Sequence, residues 1–324
     1  MDIILPVAGL GTRLRPQTWT KPKPLVSLAG KPMLAHALDQ VLPVGPEQII
    51  FITGFLGDQI EIWARESLDV PVAFVTQPEM RGQTDAILRT RGLVERDALI
   101  LFPDMLFEAE FAGLEDVDAD VVMFTKEVED PSALGIAVVE QDRIVRLIEK
   151  PQEPISNLAV IGIYYVRNME DLYTAIEEQM HRGMALKNEY YIADAIQIMI
   201  DRGARVISRP VTTWEDCGNA DALLSSNRSH LERHNPTVGQ RDGSVIIAPS
   251  YVAEDAIIVN SVIGPFASIA GGAVIRGSIV RDSIIESGVE ICGATLEQSI
   301  VGRRVSVHGF RGRLNVGDDA VVGL

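Results

Sequence analysis

The sequence predicts an α/β domain with a mostly parallel sheet, followed by a parallel β-helix. Three observations carry that expectation. Short β-rich runs alternate with amphipathic stretches through the first two-thirds of the chain. The character then changes at a Pro/Gly-containing stretch over 235–243. Beyond it, aliphatic residues recur at a spacing of six.

In chain order, residues 2–7, 48–53, 72–75, 98–102, 121–125, 136–139, 160–166 and 205–210 read as strands. Between several of them, 33–41, 56–65, 84–93, 171–180 and 192–201 carry the spacing of amphipathic helices, and 220–234 reads as a polar helix. In open sheets built this way, ligands bind beyond the carboxyl ends of the strands. Past the linker, Ile257, Ile263, Ile269 and Ile275 keep the six-residue period, and Ile279, Ile285 and Ile291 resume it after a phase shift. Val301 and Val307 continue it. One aliphatic residue per short strand is the mark of a β-helix, whereas antiparallel strands would alternate with period two. The expected division is 1–235 for the first domain and 244–324 for the β-helix.

Composition bounds the rest. The chain has 324 residues, 47% hydrophobic and 23% charged, as in an ordinary globular protein. No apolar run approaches the roughly 18 residues of a membrane span. Cys217 and Cys292 are the only cysteines, too few for a disulfide framework, and residues 1–5 read as a strand rather than a signal peptide. These features predict a cytoplasmic protein. A net charge of −16 argues against broad nucleic-acid binding. The first 38 residues nevertheless set Arg13, Arg15, Lys21, Lys23 and Lys31 against Asp2 alone. Such an island is either a site for a small, strongly anionic ligand or a solvated basic loop.

The richest stretch is Pro6-Val7-Ala8-Gly9-Leu10-Gly11-Thr12-Arg13-Leu14-Arg15-Pro16, followed by Thr20-Lys21-Pro22-Lys23-Pro24-Leu25. A strand running into a Gly-containing turn offers backbone N–H groups to phosphate oxygens, and glycine lacks the Cβ that would block their approach. Arg13 adds a planar, permanently charged fork. A dinucleotide fingerprint would need a third glycine where Leu14 stands, and a P-loop would need Ser or Thr where Pro32 follows Gly30-Lys31.

This run resembles the signature of the sugar-1-phosphate nucleotidylyltransferases, most closely long-type glucose-1-phosphate thymidylyltransferases with a C-terminal left-handed β-helix. The resemblance spans nearly the whole chain. It implies a Rossmann-like domain of mixed sheet, dependence on Mg²⁺, and in-line attack of a sugar phosphate on the α-phosphorus of a nucleoside triphosphate. It implies a nucleotide site of Ala8, Gly9, Gly11, Thr12 and Arg13, with Gln77 hydrogen-bonding the base and Gly82 lying against it. Arg13 and Lys23 would hold the phosphates, and Asp104 and Asp216 the metal. Gly135, Glu149, Lys150, Asn157 and Glu189 would bind the sugar phosphate, with Gly162 nearby. The chemistry needs no strong general base, because the attacking phosphate is already anionic. Ala8 and Pro103 stand where such enzymes commonly have glycine, and Arg81 and Gln83 alter the base loop; none of these removes a charged ligand. A catalytically silent nucleotide-sugar-binding regulatory subunit is the rival reading. A homo-oligomer is expected, because stacked β-helix coils present flat faces. His230 and His234, Cys217 and Trp19 are read as ordinary helix-surface and packing residues.

Overall fold

A computed structural model describes residues 1–151, 153, 155–234 and 243–323, so all but the last residue of the 235–243 linker lies outside the described residues. By internal contacts the chain forms two compact units. The first comprises Met1–Gly9, Ala37–Pro103 and Phe107–Trp214; the second comprises Leu10–His36, Asp104–Leu106 and Glu215–Leu324.

The first unit is built on a nine-stranded sheet. Its strands are β1 (Asp2–Pro6), β2 (Ile49–Thr53), β3 (Val72–Thr76), β4 (Ala98–Leu101), β5 (Val121–Glu127), β6 (Gly135–Glu140), β7 (Arg143–Glu149), β8 (Leu158–Val166) and β9 (Val206–Pro210). The order runs β7-β6-β8-β4-β1-β2-β3, with β5 paired to β8 and β9 paired to β5. Pairing is parallel around β1 and β2, but β8 runs antiparallel to β4 and β5. The sheet is therefore mixed, as the family resemblance implies, and not the mostly parallel sheet that alternation alone predicts. The hairpin β6–β7 and the return strand β8 follow one another without helices, so nothing there forces a parallel crossover. Ile3, Ile4, Leu5 and Ile49 to Ile52 are wholly buried, as strands covered on both faces must be.

Helices α1 (Met33–Val41), α2 (Gly57–Ser67), α3 (Gln83–Leu88), α4 (Met169–His181), α5 (Ile192–Asp201) and α6 (Ala220–His234) follow the expected order. α3 stops five residues short of the 84–93 expectation. The Thr90 hydroxyl sits 2.7 Å from both Ile87 O and Tyr173 Oη, and Gly92 turns the chain at φ 89, so the polar side chain ends the helix. α4 begins at Asn168, whose side chain accepts the Glu170 N–H.

In the second unit the C-terminal region forms three five-stranded parallel sheets, the walls of a left-handed β-helix. Equivalent positions in successive coils are 17, then 16, then 16 residues apart, as in Val262↔Ile279, Ile279↔Thr295 and Thr295↔Arg311. The inward residues are Ile258, Ile263, Ile269, Ile275, Val280, Ile285, Ile291, Leu296, Val301 and Val307. This corrects the expected register at two positions. Ile257 is 50% exposed and Ile279 42% exposed, while their neighbours Ile258 and Val280 fill the core. The apparent phase shift arises because some corners are a residue short of the six-residue repeat.

Buried serines mark the corners. Ser261 Oγ accepts the Ser278 N–H at 3.1 Å, and Ser278 Oγ the Ala294 N–H at 3.1 Å. Ser283 Oγ likewise accepts from Ser299 N at 3.0 Å, and Ser299 Oγ from Leu314 N at 2.9 Å. One wall is buried on both sides. Ile285 and Val301 point into the β-helix core, whereas Ile284 and Ile300 join a separate cluster with Leu14, Val26, Leu28, Met33, Leu106 and Cys217.

α6 is not polar all round: Leu223, Leu224 and Leu231 are buried. His230 and His234 stack at 4.0 Å between ring centroids, and His36 meets His230 edge-on at 4.5 Å, with its Nε2 2.8 Å from Leu28 O. Burial, then the charges of Lys31 and His234, pull His36 down to about 4, against the opposing hydrogen bond to Leu28. His230 is pulled down to about 3, first by burial and then by His36.

Two predictions follow from these packings. Between an unfolded value of about 6.5 and the folded value, the unfolded chain binds more protons, so stability is full above pH ~6.5 and is lost as pH falls toward ~4. His36 alone contributes on the order of 2 kcal/mol to that loss; urea unfolding from pH 7 to 4 measures it, and an unaltered slope in His36→Phe would contradict the assignment. Ile258→Ala should cost about 2–5 kcal/mol and Ile257→Ala less than about 1; equal costs in the same assay would mean the register is wrong.

Candidate active site

In the second unit, the segment after Leu10 forms three short 3₁₀ turns, Thr12–Leu14, Gln17–Trp19 and Lys23–Leu25. Pro16, Pro22 and Pro24 lack amide donors, so no longer helix can form. Gly11 opens the first turn at φ 60. A Cβ there would stand 2.9 Å from Lys23 Cβ and 3.1 Å from Thr18 Cγ2, and Thr18 Oγ1 donates to Gly11 O at 2.7 Å. Glycine is thus required where the two halves of the signature touch. Thr12 and Arg13 are exposed on this turn. Arg15 stacks on Trp19 at 3.8 Å, and Trp19 is 56% exposed, so it covers this arginine rather than filling a core.

Lys23 Nζ lies 2.8 Å from Asp104 Oδ2. The Cys217 N–H donates to Asp104 O at 3.3 Å, which brings the segment bearing Asp216 beside the one bearing Asp104. A Cβ on Gly218 would fall 2.9 and 3.0 Å from the two Asp216 carboxylate oxygens and 3.1 Å from an Arg13 guanidinium nitrogen. Arg13, Lys23, Asp104 and Asp216 therefore gather around Cys217-Gly218. The Cys217 thiol is pushed up to about 12 by burial, reinforced by Asp216 and Asp104, so it is a neutral packing group and not a nucleophile.

The donor set suits a hard divalent cation. Two carboxylates, Asp104 and Asp216, supply hard oxygens, and both are accessible to solvent. No group of three His, Cys, Asp or Glu converges on one point among the described residues, so these side chains do not form a closed cage. Mg²⁺ is bound in that manner, through one or two carboxylates completed by phosphate and water.

Lys21, expected in the cationic island, is not available to a ligand. It is buried, with its Nζ 2.7 Å from Glu286 Oε1.

The remaining expected residues lie in the first unit. Ala8 is buried, and Gly54 presses on it: a Cβ on Gly54 would come within 2.9 Å of Ala8 Cβ and Ala8 O. Gly9 is exposed, and a Cβ there would meet nothing within 4 Å, so no internal contact demands glycine. Gln77 follows β3 directly and is 4% exposed. Its Nε2 donates to Gly82 O at 3.0 Å and Asp85 Oδ2 at 2.9 Å, so the amide nitrogen shapes the loop around Gly82. Gly82 has φ 106, and a Cβ would stand 2.3 Å from Tyr190 N.

Two of the sugar-site candidates, Lys150 and Glu189, meet at Tyr191, which sequence reasoning did not single out. Lys150 Nζ donates to Tyr191 Oη at 3.3 Å, and Tyr191 donates to Glu189 Oε2 at 2.9 Å. Glu149 Oε1 is 3.6 Å from Lys150 Nζ, and its other oxygen would lie 2.8 Å from a Cβ on Gly135. Burial raises Glu149, against the neighbouring Lys150 charge, with Asp194 adding to the rise. For Lys150 burial works against the charge, but Tyr191 and Glu149 outweigh it and raise it overall. Asn157 is placed only through its backbone, whose carbonyl accepts the Val128 N–H at 3.0 Å. Gly162 sits in β8 at φ 81, its carbonyl accepting the Phe102 N–H at 3.0 Å.

Residues 2–233 match the family described as nucleotidyl transferase. A glucose-1-phosphate thymidylyltransferase of Streptomyces griseus is 28% identical, over 95% of this chain and 93% of its own length. The UTP–glucose-1-phosphate uridylyltransferase AglF of Haloferax volcanii is 30% identical over 66% of this chain and 89% of its own. The low-salt glycan biosynthesis nucleotidyltransferase Agl11 of the same organism is 29% identical, over 100% of this chain and 98% of its own. Among solved structures, a UDP-glucose pyrophosphorylase complexed with UDP-glucose is similar in fold, with a TM-score of 0.63 at 24% identity over 72% of this chain and 98% of that chain. Among the described residues no helix is long and apolar enough to cross a membrane.

Proposed function

The chain belongs to the nucleotidyl transferase family, and from that premise we propose that it transfers a nucleotidyl group from a nucleoside triphosphate to a sugar 1-phosphate. The favoured pair is dTTP or UTP with glucose 1-phosphate, the chemistry in the names of its thymidylyltransferase and uridylyltransferase relatives. The observation that carries the reading is the gathering of Arg13, Lys23, Asp104 and Asp216 around Cys217-Gly218.

In the proposed reaction a phosphate oxygen of the sugar 1-phosphate attacks the α-phosphorus. The bond from that phosphorus to the α–β bridging oxygen breaks, and pyrophosphate leaves with the electron pair. Charge is conserved without a proton transfer, so positioning and neutralisation supply the catalysis. Arg13 and Lys23 would hold the triphosphate, with the Ala8–Thr12 turn offering its backbone amides. Gln77 would present its carboxamide oxygen to the base, and Gly82 would lie against it. Lys150 would hold the sugar phosphate, while Glu149 and Glu189 would accept bonds from sugar hydroxyls and Gly135 and Asn157 would line the same pocket. A Mg²⁺ ion held by Asp104 and Asp216 would neutralise the phosphate oxygens.

A pyrophosphate-release assay across triphosphates and sugar 1-phosphates tests the activity. Asp216→Asn should lower turnover by about 100-fold or more with an unchanged unfolding midpoint; near-normal release by that variant in Mg²⁺ would remove the carboxylate from the mechanism. No release by the intact chain with any pair would leave the silent regulatory subunit as the reading. We also assign the exposed β-helix faces to homo-oligomer assembly, on the strength of the outward Ile257, Ile279 and Val321. Light scattering on the purified chain should report a multimer; a monomer at micromolar concentration would refute it.

A further inference from the structure

The β-helix does more than stand beside the signature segment; it supplies buried polar anchors to it. Glu286 follows the strand Ile284–Ile285 and is 4% exposed. Its Oε1 takes the Lys21 ammonium at 2.7 Å and the Ser27 N–H at 3.1 Å, and its Oε2 takes the Ser27 hydroxyl at 3.1 Å. Lys21 and Ser27 flank Lys23, so one carboxylate clamps both ends of the turn that presents the ammonium paired with Asp104. Upstream, buried Gln17 donates from Nε2 to Val316 O at 2.8 Å, Asn315 Oδ1 at 3.0 Å and Ile300 O at 3.3 Å. Thr20 Oγ1 donates to Asp318 Oδ2 at 2.8 Å, and Arg303 holds that same carboxylate. Downstream, α6 adds one more: the Ala29 N–H donates to Asn227 Oδ1 at 3.0 Å.

These contacts do not serve β-helix stability in any obvious way. A buried ion pair loses much of its Coulombic gain to desolvation, and an apolar pair of similar volume would serve as well or better. Ile284 and Ile300, on the same wall, already bury apolar surface against Leu14, Val26 and Leu28. What a three-way carboxylate contact adds over apolar packing is direction, because hydrogen bonds fix the positions of both termini of the turn. Within the turn, the backbone bonds among the described residues are the 3₁₀ bonds of Leu25 N to Pro22 O and Val26 N to Lys23 O.

We propose that Glu286 and Gln17 are positioning residues for nucleotidyl transfer: the β-helix sets the segment 13–27 in its reactive geometry, and is thereby part of the catalytic apparatus. This rests on the functional reading above, in which Arg13 and Lys23 hold the triphosphate. Displacement of a reacting group by about 1 Å can lower a rate by up to about 100-fold.

The test uses the full chain with Glu286→Gln, Gln17→Ala and, as a control for destabilisation alone, Ile291→Val in the β-helix core. Steady-state kinetics and native-state hydrogen exchange are measured for each. Both anchor variants should lose roughly 10- to 100-fold in kcat, with KM for the sugar phosphate within about twofold. Amide protection should fall over residues 10–28 and persist over 257–291, and the control should keep its kcat. If Glu286→Gln does not fold, Gln17→Ala decides by the same outcomes. A folded anchor variant with kcat within twofold of the intact chain overturns the proposal, as does loss of protection spread evenly through the β-helix. An intact chain without activity would instead overturn the functional reading, while the exchange pattern would still report whether the anchors hold the turn.

Discussion

A segment made of 3₁₀ turns interrupted by prolines cannot hold its own shape. Between Thr12 and Leu25 the chain has three such turns and few bonds within each. Its geometry must be imposed from outside, and the constraint comes from the buried Glu286 carboxylate with the apolar wall beneath it. Once the segment is fixed, Gly11 brings Lys23 against the first turn, Lys23 meets Asp104, and the backbone bond from Cys217 to Asp104 sets Asp216 alongside.

The charge arrangement follows the same logic. Five cations in the first 38 residues look equivalent in the sequence, yet the fold gives four of them separate tasks. Lys21 is neutralised in the interior, Arg15 lies over an exposed indole, and Arg13 and Lys23 stand with carboxylates near solvent. The proposed phosphate-handling centre needs the last kind. Paired cations and anions in one place can exchange partners when a polyanion or a divalent cation arrives, without an isolated charge ever being buried.

Much of this was legible in the sequence, for physical reasons that can be named. α1, α5 and α6 match their expected limits, α1 and α5 because their apolar periodicity is uninterrupted. The β-helix announced itself because a tube of short strands admits one aliphatic side chain per wall. Its register did not, since Ile257-Ile258 and Ile279-Val280 offer two apolar residues where only one points inward. The signature residues were recognisable as a resemblance, but the partners that hold them were not. Glu286 lies 259 positions from Ser27, and no local pattern marks a carboxylate for burial at that distance. Tyr191 was missed for a related reason: an aromatic in a loop gives no sign that its hydroxyl will link Lys150 to Glu189.

The serine columns of the β-helix answer a question that its hydrophobic pattern leaves open. With Ile284-Ile285 and Ile300-Val301 side by side, a strand slipped by one residue would bury nearly the same aliphatic volume, so hydrophobicity hardly tells right from wrong threading. A slipped coil would, however, carry Ser278 or Ser299 away from the amide it satisfies one turn above, leaving a buried donor unmatched. Polar corners thus act as a proofreading ruler for each added coil. Faithful counting along the tube then decides whether residue 286 arrives where Lys21 and Ser27 meet it.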